Sequence, residues 1–332
     1  MGAGNTRRES FGQPGMRVLL DGSPLTVATG GIRRYVEELS VALAARNPAD
    51  EMHVAADRSL EDVARLREAG ICIHDEPPVG WNRRWWLIGL PRLCRRLNIT
   101  VFHGTDFTVP LRHRVPTVMT IHDLSPWLSR EWQPAARRIR RRTPWMLRLG
   151  LVDQVITVSE AMRSEILARF RFTPGRVHAI PLAAEQRFRP VETPPGAKPY
   201  FLFVGTLEPR KQIHSLVEAW RPVYAATGIP LKIAGRLRED FVPPPMEAGL
   251  EYLGAVLDAS LPSLYSGALA VVYPSEYEGF GLPVLEAMQC GVPVVVGNAP
   301  ALRELAADDG VVVDPRQGDS LREALRRFAT EP

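Results

Sequence analysis

Short apolar runs alternate with stretches of helical period along nearly the whole chain. Residues 16–21 read as a buried strand. Residues 30–46 read as a helix, because Ile32, Tyr35, Val36, Leu39 and Leu43 recur at helical spacing. Further strands are predicted at 52–55, 71–74, 100–103, 117–121, 154–158 and 177–181. Ser159 is placed to cap a helix over 160–170. Strands that alternate with helices in this way imply a parallel sheet covered on both faces.

The segment 183–199 interrupts the alternation. It carries Pro190, Pro194, Pro195, Gly196 and Pro199, which suit neither a helix interior nor a central strand. The pattern then restarts. Strands are expected at 200–204, 231–234, 250–253, 268–273, 292–296 and 310–313, and helices at 213–225, 260–266, 282–290, 301–306 and 321–328. The expected organisation is a polar tail (1–15), a first α/β domain (16–182), a proline-rich linker (183–199) and a second α/β domain (200–332). Two doubly wound domains of this kind bind ligands at the carboxyl ends of their strands.

Composition narrows the class. The chain has 332 residues, 45% hydrophobic and 23% charged, which is the profile of a globular protein large enough for two cores. No apolar run reaches the ~20 residues of a membrane helix, and the first residues lack a signal-peptide core. Cys72, Cys94 and Cys290 form an odd, scattered set without a C-x-x-C. That spacing argues for a reducing, cytoplasmic compartment and against a structural zinc. Net charge is +4, unevenly spread. Residues 1–190 hold 29 Arg and no Lys against 19 acidic residues, whereas 191–332 hold 12 basic and 18 acidic. A basic first half suits contact with an anionic acceptor or the inner membrane surface, and equally suits solvated helix faces. The basic, aromatic stretch 81–97 and the run 137–142 carry the same two readings. No nucleic-acid-binding motif occurs.

The sharpest chemistry lies at Glu278-Gly279-Phe280-Gly281-Leu282-Pro283-Val284-Leu285-Glu286. A strand, a glycine-rich turn and a helix start expose backbone N–H groups to an anion. Pro283 fits the first helical turn. Glu278 and Glu286 flank that anion site and can accept from hydroxyls. Glu286, among apolar neighbours, needs donors that ribose hydroxyls would supply. A phosphate between hydroxyl-rich groups describes a nucleotide sugar.

A second anion signal follows the 200–204 strand: Gly205-Thr206-Leu207-Glu208-Pro209-Arg210-Lys211-Gln212. Only three lysines occur in the chain, so Lys211 here is not background composition. Two cations at a helix start are unfavourable by dipole logic, which calls for a compensating anion such as a diphosphate. In the first domain, His122 ends the 117–121 strand, where it can donate to a sugar hydroxyl. Gly30 and Gly31 allow close backbone approach to an anion. His103 and Asp106, at another strand end, are weaker candidates for the acceptor side.

Together these residues resemble the retaining GT-B glycosyltransferases of glycosyltransferase family 4, particularly the mannosyltransferase-like branch. The resemblance runs over residues 16–330. It rests on Gly30 to Tyr35, Thr120 to Asp123, Ile156 to Glu160, Val204 to Lys211, and the stretch from Glu278 to Glu286, which is similar to the family's E-x7-E motif. It implies two Rossmann-like domains with the nucleotide sugar held by the second and a saccharide or lipid-linked acceptor by the first. It further implies that Arg210 and Lys211 neutralise the diphosphate and that Glu286 accepts from the ribose. Glu278, with Phe280, Gly281 and Leu282, would hold the donor sugar, with Gly205 and Thr206 in the adjoining turn. Gly31 would approach the phosphate and His122 the reacting carbon. No cofactor or metal is expected, and GDP-mannose is the first choice of donor.

Two departures from the family stand out. Thr206 occupies a position where many members carry Arg, and the chain ends before the usual C-terminal crossover helices. Glu278→Ala is expected to cut transfer with the fold intact. A nucleotide-sugar epimerase of similar fold and a non-catalytic nucleotide-sugar-binding protein are the alternative readings.

Overall fold

The computed structural model describes residues 15–27, 30–78, 80, 84–112 and 114–331. The tail expected over 1–15 lies outside these residues except for Gly15, as do Trp81 and Arg83 of the basic aromatic stretch. By compactness the chain forms two units, residues 1–120 with 145–155 and residues 121–144 with 156–332.

Thirteen strands make two sheets among the described residues. β1 (Arg17–Asp21), β2 (Glu51–Ala55), β3 (Cys72–His74), β4 (Val101–Gly104), β5 (Thr117–Ile121), β6 (Gln154–Thr157) and β7 (Val177–Ala179) form the first, in the order β3-β2-β1-β4-β5-β6-β7. β8 (Tyr200–Val204), β9 (Leu231–Ala234), β10 (Leu250–Gly254), β11 (Ala268–Tyr273), β12 (Val294–Gly297) and β13 (Gly310–Val313) form the second, in the order β10-β9-β8-β11-β12-β13. The registered pairs are parallel in both. Each sheet therefore reverses its winding once, at β1/β4 and at β8/β11. Such switch points are where the loops at the carboxyl ends diverge and leave room for a ligand.

The connecting helices are α1 (Gly31–Arg46), α2 (Ala64–Glu68), α3 (Leu90–Arg96), α4 (Ser125–Leu128), α5 (Arg137–Arg148), α6 (Glu160–Phe170), α7 (Ile213–Thr227), α8 (Leu261–Ser266), α9 (Leu282–Gln289), α10 (Pro300–Ala306) and α11 (Gly318–Thr330). Two of these, α2 and α4, are too short to register as a helical period. No helix among the described residues is long and apolar enough to cross a membrane.

The second core shows why the sheet is buried on both faces. All five residues of β8 are buried, as are all four of β12. A strand without polar alternation can only sit between two helical layers. Trp220 of α7, Tyr265 of α8 and Leu321 and Leu325 of α11 cover it, each fully buried. Cys94 and Cys290 are buried and Cys72 is exposed. In the first unit, Arg33 is buried at the start of α1 and donates to the carbonyls of Leu25, Val27, Glu61 and Asp62 at 2.8–3.0 Å. It is a brace for two loops.

Candidate active site

β8 and β11 are hydrogen-bonded neighbours at the switch point of the second sheet. The loops that leave their carboxyl ends are the two the sequence singled out, 205–212 and 274–281. Adjacent strands of opposite winding thus bring Arg210 and Lys211 to Glu278. Pro209–Lys211 forms a 3-10 turn, and Gln212 turns the chain into α7 through a left-handed residue (φ 54°).

Glu278 is 7% exposed and Lys211 5%. One oxygen of Glu278 accepts from the Lys211 ammonium, and the other lies 2.9 Å from Arg210 Nη1. Arg210 Nε meets Glu208 Oε1 at 2.8 Å, and Arg238 Nη1 lies 3.4 Å from Glu208 Oε2. Lys211 also donates to the Tyr273 hydroxyl and sits over its ring at 4.5 Å. Burial alone would raise the Glu278 carboxyl. Arg210 and Lys211 outweigh it and hold the group at about 2. Burial and the neighbouring Arg210 pull Lys211 below its ordinary value, against the attraction of Glu278.

These contacts amend the sequence reading in two ways. The anion expected to compensate two adjacent cations is present within the protein, as Glu208 and Glu278. Removing Glu278 would also strand two buried cations, so Glu278→Ala would not leave the fold untouched.

The loop itself is pinned from behind. A Cβ on Gly279 would lie 1.8 Å from the carbonyl oxygen of His122, so only glycine fits there. Ser159 donates to the Gly279 carbonyl at 2.8 Å and accepts from Met162 N at 3.1 Å, combining the predicted cap with a tether. The Tyr277 hydroxyl lies 2.9 Å from Glu165 Oε2 and accepts from Leu124 N at 3.0 Å, and its ring stacks on Trp132 at 5.7 Å. Gly281 takes φ 110° and opens α9, whose start has no side-chain cap. Val284 N donates to the Gly281 carbonyl at 2.9 Å and Pro283 has no N–H, so the anion site of the sequence argument narrows to the amides of the Gly281–Leu282 turn.

Glu286 is 2% exposed and accepts from the Tyr265 hydroxyl at 2.9 Å. The protein itself supplies a donor that the sequence reading left to a ribose. Phe280 is buried, and Gly205, Thr206 and Leu282 are half-buried along the same two loops. His122, half-buried, directly follows β5 with its backbone against Gly279.

Gly30, Gly31, His103 and Asp106 belong to the first unit. Gly30 and Gly31 are exposed at the start of α1, with open space where a Gly31 Cβ would stand. His103 is buried beside β1, with Nε2 2.8 Å from the Thr120 hydroxyl, which also meets Tyr35 Oη at 3.0 Å. That contact gives His103 a structural task. Of the basic stretches, Trp85 is buried, whereas Trp145 of α5 is 50% exposed.

Sequence reasoning missed the cluster's other members. Glu208 was legible as the acid preceding Pro-Arg-Lys, and Tyr277 as the aromatic before Glu278. Tyr273 was read only as the end of an apolar strand.

Comparison with known proteins bears on the family and the fold. The family model for Glycosyltransferase Family 4 matches residues 29–185, and that for Glycosyl transferases group 1 matches residues 184–332. The chain is 32% identical to the O-antigen chain mannosyltransferase B of Escherichia coli, over 92% of this chain and 88% of that protein. It is 25% identical to the O-antigen chain mannosyltransferase RfbU of Salmonella typhimurium, over 77% and 72%. Among solved structures, a sucrose-phosphate synthase from Thermosynechococcus elongatus superposes with a TM-score of 0.73 at 20% identity, covering 96% of this chain and 90% of that one. WaaG, a glycosyltransferase involved in lipopolysaccharide biosynthesis, gives 0.68 at 14% identity, covering 95% and 91%. With both halves matched and a relative above 30% identity along nearly its full length, the chain belongs to glycosyltransferase family 4: it is a glycosyltransferase of GT-B fold, similar to the mannosyltransferases of that family.

Proposed function

We propose that the chain transfers mannose from GDP-mannose to a hydroxyl of a saccharide or lipid-linked acceptor, with retention of configuration and without a divalent metal. The observation that carries this reading is the buried Arg210–Lys211–Glu278 cluster, joined by one short loop to the uncapped start of α9. Fixed cations and backbone amides at one point do the work a metal does elsewhere on a diphosphate. The choice of mannose draws on the similarity to O-antigen mannosyltransferases.

The contacts support one set of roles. An entering diphosphate competes with Glu278 for Arg210 and Lys211. The exchange leaves the Glu278 oxygens to accept from hydroxyls of the donor sugar. Glu286 accepts from the ribose, and Phe280, Gly281 and Leu282 offer their amides at the start of α9. His122 steadies the sugar near its reacting carbon. The bond from the anomeric carbon to the phosphate oxygen breaks through an oxocarbenium-like state, and the leaving diphosphate is stabilised by Arg210 and Lys211. The acceptor oxygen bonds to the same face, and its proton passes to the departing phosphate oxygen. The Arg-rich first half suits peripheral contact with an anionic membrane that presents the acceptor.

Purified protein incubated with GDP-mannose, and separately with UDP-sugars, in chelator tests this reading. Acceptor-dependent release of GDP, with an α-linked product by NMR, is expected. Release that needs added metal, an inverted linkage, or turnover confined to UDP-sugars would each overturn the corresponding part.

A further inference from the structure

The exposed edge of the first sheet carries a second cluster that the transfer reaction does not use. Glu51 and His53 are two apart on β2, so the strand's period puts both side chains on one face. β3 pairs in parallel with Cys72 opposite His53 and His74 opposite Ala55. The carboxylate of Glu51, the imidazole of His53 and the thiol of Cys72 thereby come together, with their ligand atoms all within 4.8 Å of one another.

One of these groups is short of a partner. His53 is 2% exposed. Its Nδ1 lies 3.1 Å from His74 Nε2. Its Nε2 is buried without a hydrogen bond, although Glu51 Oε1 is 3.3 Å away. Buried imidazole nitrogens ordinarily find a partner. Arg17 holds the other Glu51 oxygen at 2.8 Å, which leaves Oε1 turned towards His53.

We propose that Glu51 Oε1, His53 Nε2 and Cys72 Sγ bind one divalent ion of zinc-like chemistry, with a fourth position open to solvent. A thiolate, an imidazole and a carboxylate select zinc over magnesium or calcium, which take oxygen ligands. His74 acts as the outer partner that fixes the His53 ring and its tautomer. Metal–ligand bonds of about 2.0–2.3 Å require the ligand atoms to close in. Glu51 and Cys72 are exposed, so their side chains rather than the buried His53 make that movement, Glu51 against its ion pair with Arg17. Cys72 gives up its thiol proton to solvent on binding. The ion would tie the edge strand β3 to β2. The scattered cysteine spacing argued against a structural zinc, because the ligands are gathered by strand pairing rather than by a local motif.

Titration of the tag-free full chain with Co²⁺ tests the site. One equivalent is expected to bind, with a thiolate-to-cobalt charge-transfer band that added Zn²⁺ removes. Zn²⁺ is expected to raise the melting temperature. Cys72→Ser, at an exposed position, should abolish the band and the thermal shift. Glu51→Gln, also exposed, should weaken binding by about tenfold or more, and His53→Asn more still. A wild-type protein with no charge-transfer band, a band that survives Cys72→Ser, or an equal thermal shift in that variant would overturn the proposal.

Discussion

Asp21 and Glu278 are buried carboxylates near the carboxyl ends of central strands, one in each unit, and they carry opposite electrostatic consequences. Burial pushes both upward. Among the described residues Asp21 receives the amide and hydroxyl of Ser23, at 3.0 and 2.6 Å, with no cation, and is left at about 6. Glu278 receives an arginine and a lysine and drops to about 2. Depth is the same, so the partner's charge decides the outcome. One carboxyl is poised near neutrality, and the other is an anion at any physiological pH. In the proposed transfer Glu278 would accordingly accept hydrogen bonds rather than donate a proton.

Removing the charge from Glu278 tests that contrast most severely. Glu278→Gln keeps the volume but leaves Arg210 and Lys211 without one of their two anions. Breaking a buried pair in this way costs about 3–5 kcal/mol. The expected result is a lower urea midpoint at pH 7 and no measurable sugar transfer. A variant with wild-type stability would mean that Glu208 and solvent suffice to balance the cations. In the wild type, the Glu278 pair contributes stability above about pH 4.5, and that contribution is lost as pH falls towards 2.

Asp21 should behave in the opposite sense. Its folded pKa lies above the unfolded value of 3.8, so its contribution is complete below that value and is lost as pH rises through about 6. The difference corresponds to about 3 kcal/mol. Asp21→Asn keeps an acceptor for Ser23 and cannot ionise. Denaturation curves at pH 4, 5, 6 and 7 should show the wild type losing stability relative to the variant across that window. Parallel profiles would show that Asp21 is solvated in the folded state.

The contrast was only half legible in the sequence. Strands such as 200–204 and 268–273 were readable to the residue, because a strand buried on both faces is an uninterrupted apolar run between turns. The two loops were readable too, since glycines, cations and glutamates at strand ends are unusual chemistry. What could not be read was who pairs with whom. Glu278 and Lys211 lie 67 positions apart, and only the β8/β11 adjacency at the switch point brings them together. Nothing in the sequence signals that Tyr265, 21 positions away, donates to Glu286. His103, a strand-end histidine like His122, is occupied by Thr120 through strand pairing. Glu51, His53 and Cys72 passed unnoticed for the same reason.

Gly279→Ala separates the geometry of the second site from its charge. The ionised side chains of the cluster all remain, but the new methyl meets the His122 carbonyl at 1.8 Å and one strand of backbone must move. Overpacking of this kind costs about 1–3 kcal/mol. Transfer should fall by a larger factor than stability suggests, because the same loop carries Glu278 and leads to the first amides of α9. Activity at the wild-type level, measured with saturating donor, would detach the loop's position from catalysis.

The smallest effect is expected where a neutral group does the holding. Ser159→Ala removes a helix cap and the bond to the Gly279 carbonyl together. A cap is worth about 1 kcal/mol, and a neutral hydrogen bond contributes a similar amount. The variant should fold, melt a few degrees lower, and bind donor more weakly as the Gly279 carbonyl loses its anchor. If charge governs this site more than neutral tethers do, Ser159→Ala must fall well short of Glu278→Gln in both stability and transfer. Equal losses in the two variants would reverse that ranking and make the tether, rather than the ion cluster, the element that holds the loop.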